Sequence, residues 1–244
     1  MRRETQNILL VLLGGALLKI AINGDYLRYV KPSQQVWVLG GGAVMVALGV
    51  LAMARDLLAA RGTPGPQACG HEHHHAARSA WLLMVPVLAV FLVAPPALGS
   101  DSVTRTPARA PQSEAARDAA TFPPLPAGEV VPLPVSEFVT RAGWDSGGTL
   151  DDRTVSLSGF VVHDGGDTLL ARLRISCCAA DAFPLTVRLT GPAATTAVAA
   201  AADTWIEVTG QAVPDTATAE NGYTPDLTVR TVREVPAPED PYEY

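Results

Sequence analysis

Cysteine is scarce in this chain: three residues in 244, too few for a disulfide framework. Aromatic residues make up only 6% and charged residues 17%, a low share for a soluble protein. Basic residues are outnumbered, 18 Lys and Arg against 24 Asp and Glu, for a net charge of −6. No basic stripe exists to neutralise phosphates, which argues against nucleic acid as a partner. No internal repeat is visible. No hydroxyl–histidine–carboxylate constellation is visible either, so the sequence predicts a protein that is not an enzyme.

What the chain does have is long apolar runs, in a composition that is 48% hydrophobic. The first is "ILLVLLGGALLKIAI" (8–22), the second "VWVLGGGAVMVALGVLAMA" (36–54), the third "AWLLMVPVLAVFLVAPPAL" (80–98). The second and third carry no charge and no polar face, unlike an amphipathic helix of a soluble protein. They are long enough for a hydrocarbon core of about 30 Å, and the first is slightly short. Lys19 lies near one end of the first, where its stem can snorkel to the interface. Tyr26 and Tyr29 follow, amphipathic rings suited to the headgroup level. The prediction is three transmembrane helices in a domain covering residues 1–99. Two processing alternatives compete with it: the first run as a signal peptide, or cleavage after the third at "APPALGS".

Arg2, Arg3, Arg55, Arg61 and Arg78 flank one side of these spans and Arg28 and Lys31 the other. The bias predicts a multi-pass plasma-membrane protein with a cytoplasmic N-terminus and second loop, and an extracytoplasmic chain after Gly99. The second run holds Gly40, Gly41, Gly42, Ala43, Ala47 and Gly49, small residues that let helices approach closely in lipid. They could serve packing within the chain or docking of another membrane protein.

Residues 100–134 are rich in Pro, Ala, Ser and Thr and read as a tether. Residues 135–244 form the predicted second domain. It opens with a short helix, "VSEFVTRAGW", with Ser136 as its cap and Phe138 and Val139 as its packing face. Five strands follow, at 154–163, 166–178, 184–191, 204–213 and 226–238, with a short helix between the third and fourth. The overall prediction is α+β: three membrane helices, then a small OB-like five-stranded β-barrel, with a small open sandwich as the alternative. The barrel lacks the aromatic platform that single-stranded nucleic acid needs.

"YVKP", "LSGFVV", "RISCCAADA", "TWIEVTG" and the terminal "PYEY" together resemble a bacterial family of permease subunits, small membrane proteins with an extracytoplasmic domain of unknown function. The resemblance covers nearly the whole chain, least well in the tether. It implies an accessory role beside a larger multi-spanning permease, with a link to zinc limitation.

Two clusters carry candidate chemistry. Alternation along "ARLRISCC" puts Leu173, Ile175 and Cys177 on one face, so Cys177 is expected to point into the barrel and Cys178 outward. Three readings stay open: two small structural residues, a vicinal disulfide, or a site for zinc or copper(I) helped by Asp181 or His163. The second cluster is "CGHEHHH", offering Cys69, His71, Glu72, His73, His74 and His75 as ligands for zinc or another transition metal on a loop. The leading expectation is a non-catalytic accessory subunit of a membrane permease complex, linked to metal homeostasis. The alternatives are an independent membrane-anchored metal or thiol module and a structural envelope protein.

Overall fold

The computed structural model describes residues 3–61, 84–93, 95–106 and 122–244. The chain divides into two compact units, Met1–Pro96 and Ala97–Tyr244.

The first unit is helical. Helix α1 spans Arg3–Asn23, α2 Gln35–Arg61 and α3 Met84–Leu92. Two 3-10 turns, Asp25–Arg28 and Pro32–Gln34, join α1 to α2. Among the described residues, α1 and α2 are long and apolar enough to cross a membrane. Of the third apolar run, only Met84–Leu92 is described as helix, with Pro86 in its first turn, where no N–H partner is lost. The α1–α2 contact depends on absent side chains. A Cβ on Gly14 would stand 2.8 Å from the Gly42 carbonyl oxygen, and one on Gly49 would stand 2.6 Å from Val11. Gly40 and Gly41 face open space. The small residues of α2 therefore split: Gly42 and Gly49 pack against α1, and Gly40 and Gly41 do not.

The second unit is a seven-stranded sheet with short helices. Its elements are α4 (Ser100–Arg105), β1 (Val130–Pro132), α5 (Val135–Trp144), β2 (Thr154–Asp164), β3 (Asp167–Arg174), β4 (Phe183–Thr190), α6 (Thr195–Ala199), β5 (Trp205–Val213), β6 (Asp226–Glu234) and β7 (Tyr242–Glu243). Strand β2 pairs antiparallel with β5 over Thr154–Phe160 and with β3 over Phe160–Asp164. Strand β3 pairs with β4, β4 runs parallel to β6, and β6 pairs with β5. The pairings thus run β2–β5–β6–β4–β3 and return to β2. Short parallel strands flank the circuit, β1 on β2 and β7 on β3.

A strand that serves two neighbours must bend, and Gly159 supplies the room. A Cβ there would sit 2.5 Å from the Ala171 carbonyl oxygen. Gly210 plays the same part in β5, next to the register shift at Thr209, with the Thr228 oxygen 2.5 Å from its missing Cβ.

Side-chain alternation sorts the apolar residues into two clusters. Val155, Leu157, Val161, Leu170, Val187, Ile206, Val208 and Leu227 meet inside the circuit, joined by Phe138 and Val139 of α5. Phe160, Val162, Ala171, Leu173 and Ile175 point the other way and are covered by Val103 and Tyr242.

Two expectations need correction. The stretch read as a tether starts and ends inside the domain. Ser100 fixes α4 by donating from its N–H and hydroxyl to Asp203 (2.6 and 2.9 Å), and Leu125, Val131 and Leu133 join the core. Ser136 does not cap α5. The helix begins at Val135, and the Glu243 carboxylate accepts the N–H groups of Val135 (2.9 Å) and Ser136 (2.7 Å). A carboxylate at a helix N-terminus satisfies orphan donors and meets the positive end of the dipole. No sequence-local rule finds it, because the capping residue is more than 100 positions away.

Candidate functional site

Strand β3 ends at Arg174, four residues before the second cysteine of the predicted strand. Ile175 is the last residue held in the sheet direction, donating to the Glu243 carbonyl (3.0 Å) with its side chain in the outer cluster. The chain then turns. The Asp181 carboxylate reaches back and accepts the Ser176 N–H (2.9 Å) on one oxygen and the Cys177 N–H (2.8 Å) on the other. The Asp181 N–H donates to the Cys178 carbonyl (3.0 Å), closing a 3-10 turn over Ala179–Asp181. Short side chains at Ala179, Ala180 and Ala182 permit this tight path. Ala179 and Ala182 also pack on the outer cluster, anchoring the turn from below.

The turn overturns the expectation that Cys177 points into the barrel. Alternation stops where the strand stops, and Cys177 is exposed while Cys178 is half-buried. Both are free thiols, with their sulfurs 3.6 Å apart. Together with an Asp181 oxygen they form a donor group whose atoms all lie within 4.8 Å of one another. His163 is not part of it. It sits at the far end of the β2–β3 hairpin, its ring bonded to the Ala200 carbonyl oxygen (2.9 Å) and facing the Thr168 hydroxyl (3.3 Å). The candidate ligands Cys69, His71, Glu72, His73, His74 and His75 lie outside the described residues.

The electrostatics of the turn follow from one negative charge. The Asp181 carboxylate, accepting from the Cys177 thiol, pushes that thiol up to about 11, and the neighbouring Cys178 sulfur adds to the effect. In return the thiol holds the Asp181 carboxyl below the ordinary carboxylate range, against some desolvation and with help from the N–H groups of Ser176, Cys177 and Cys178. At neutral pH the resting state is a protonated Cys177 beside an ionised Asp181.

The root of this loop is braced by residues the sequence reading passed over. Arg172 packs its guanidinium over the Trp205 ring (4.9 Å), pairs with Glu243 (3.5 Å) and donates to the Tyr242 carbonyl (3.2 Å). Glu243 therefore ties together the start of α5, the side chain of Arg172 and, through its carbonyl, the first residue of the cysteine loop. The signal was present as an acidic residue between two tyrosines in "PYEY", without a partner nearby in sequence.

A separate concavity of about 380 Å³ lies on the β3–β4 face, lined among others by Val103, Asp164, Asp167, Thr186, Arg188 and Thr224. Its arginine is engaged: Arg188 grips Asp226 with two bonds (2.7 and 2.8 Å).

A membrane-compatible helical unit and an α+β domain with an exposed dithiol turn set the class of the molecule. Residues 147–244 match the model of the DUF1980 C-terminal domain, a domain of unknown function, and the match contains β2 to β7 and the whole cysteine turn. No curated protein and no solved structure matches the chain.

Proposed function

We propose that this protein is a non-catalytic, membrane-anchored accessory subunit of a larger multi-spanning permease, and that its outer domain captures a transition metal, zinc, on the Cys177–Cys178 turn. Three helices anchor it, the third being the one at Met84–Leu92. The N-terminus and the loop holding Cys69 to His75 are cytoplasmic, and the domain lies on the opposite side of the bilayer. The domain is an OB-like five-stranded barrel, a reading supported by the circuit of pairings through β2, β5, β6, β4 and β3 and by the parallel β4–β6 contact. Three helices without an acidic residue in their apolar runs make a poor pathway on their own, which favours a partner.

The observation that carries the metal reading is the donor group itself. Two free thiols, one exposed and one half-buried, are brought together with a carboxylate on the turn after β3. Soft sulfur ligands suit zinc. The reading is tested on the full chain purified from membranes under reducing conditions. About one zinc per chain should resist dialysis in a variant lacking the histidine loop's side chains, and Cys177→Ser with Cys178→Ser should lose it. Zinc content equal in the two samples would overturn the metal reading. Absence of any multi-spanning protein after mild cross-linking and purification would overturn the permease reading separately.

A further inference from the structure

A metal site is defined as much by the ligands it lacks as by those it has. The turn offers two sulfurs. Its third donor, Asp181, is already employed: both oxygens accept backbone N–H groups, and the Cys178 N–H and Cys177 thiol face it too. A carboxylate has about four acceptor positions, so little capacity is left for a cation. Pulling Asp181 onto a metal would release the N–H bonds that shape the turn. Ser176, Ala179, Ala180 and Ala182 bring no strong zinc ligand, and His163 is held at the opposite end of the hairpin. Among the described residues no other His, Cys, Asp or Glu joins the group.

The spacing of the sulfurs says which cation geometry fits. Two sulfurs bound about 2.3 Å from a tetrahedral zinc stand about 3.8 Å apart. The observed separation of 3.6 Å is close to that span. A linear two-thiolate ion would need them a full two bond lengths apart.

Building on the metal reading above, we propose that Cys177 and Cys178 form a two-sulfur half-site for tetrahedral zinc, that its other two positions are filled by donors from outside this domain, and that Asp181 positions the turn without binding the ion. On binding, each thiol releases its proton to water as its sulfur bonds zinc, and no electron moves. A half-filled coordination sphere on an exposed turn is suited to transfer. A carrier can place its own nitrogen or sulfur ligand on the ion before either cysteine lets go. Structural zinc sites do the opposite and close all four positions with their own side chains.

Cobalt(II) is the probe, used with the full chain in detergent. The background variant carries Cys69→Ser and alanine at His71, His73, His74 and His75, so that only the turn reports. A thiolate-to-cobalt charge-transfer band should appear and be lost in Cys177→Ser and in Cys178→Ser. Imidazole should then shift the d–d bands while the thiolate band persists, the signature of outside ligands on a retained ion. Asp181→Asn should keep the thiolate band and weaken affinity by about tenfold, the loss typical of a residue that orients ligands. No thiolate band at all would sink the metal reading itself. A band indifferent to imidazole would overturn the half-site alone, and so would an Asp181→Asn variant as empty as the cysteine variants. The imidazole titration needs no variant of the turn, so the test survives a substitution that fails to fold.

Discussion

The two units of this chain treat apolar side chains in opposite ways. Among the described residues, α2 leaves Val36, Trp37, Val44, Leu48, Leu51, Leu57 and Leu58 exposed, with Trp37 at 76%. The domain buries most of its large apolar residues, and among the described ones Leu98, Val130 and Val198 are exposed. In water the first pattern would be an aggregation liability, and the second is what a folded domain requires. The difference agrees with the length and apolar character of α1 and α2, which are enough to cross a membrane. Within α1 and α2 glycine allows close approach, Gly14, Gly42 and Gly49 packing against Val46, Leu18 and Val11 of the facing helix. Within the domain glycine serves curvature, at Gly159 and Gly210, and aliphatic side chains make the core.

The comparison can be broken or sharpened by substitution. Gly159→Val should have the largest effect, because the new side chain meets backbone and cannot swing aside. A loss of about 3 kcal/mol is expected for such overpacking. It would be read as a large drop in urea midpoint by tryptophan fluorescence, with the helical signal of α1 and α2 retained. Simultaneous loss of both signals would show that the two units do not fold independently. Next comes Glu243→Ala, which uncaps α5 and strips Arg172 of its carboxylate, for about 2 kcal/mol by the same measurement. Glu243→Gln should recover the cap more than the ion pair.

Acid should act on the domain more mildly and in one direction. Glu207 is held below its ordinary value of 4.5 by the Ser156 hydroxyl and by Arg233, and Asp181 is lowered in the same sense by Cys177. Groups with depressed folded values contribute stability above their unfolded values and lose it as pH falls through the folded ones. The urea midpoint should therefore hold from pH 7 to 5 and decline below about 4.5. Glu207→Gln should flatten that decline. Asp181→Asn should speed alkylation of Cys177 at pH 8 several-fold, by removing the charge that keeps its thiol protonated. The smallest effect is expected for Leu48→Ala, which faces outward on α2. The domain's midpoint should move by less than about 0.5 kcal/mol.

Much of the domain was legible because its signals are local. The runs from Thr154, Pro184, Thr204 and Asp226 alternate, and the strands found there begin within a residue of those positions. The short strands at Val130–Pro132 and Tyr242–Glu243 were not legible, since two or three residues hold no period and their partners supply the order. The same limit explains the cysteines. The strand stops at Arg174, whereas extrapolating the alternation of Leu173 and Ile175 pointed Cys177 inward. The bonds that end the strand come from Asp181, four residues later. Helix α4 was hidden for a related reason: "SDSVTR" has one apolar residue, Val103, and its order comes from Asp203 and the outer cluster.

Within the circuit β2–β5–β6–β4–β3, one seam is the shortest. Strands β4 and β6 meet over only three residue pairs, Arg188–Asp226 to Thr190–Thr228, whereas β5 and β6 share eight. That seam is latched by the two bonds between Arg188 and Asp226 and by the Thr190 hydroxyl on the Leu227 carbonyl (3.1 Å). Native-state breathing should begin there. In heavy water the amides of this seam should exchange ahead of those linking β2 to β5, and Arg188→Ala should hasten the leak without changing the fold.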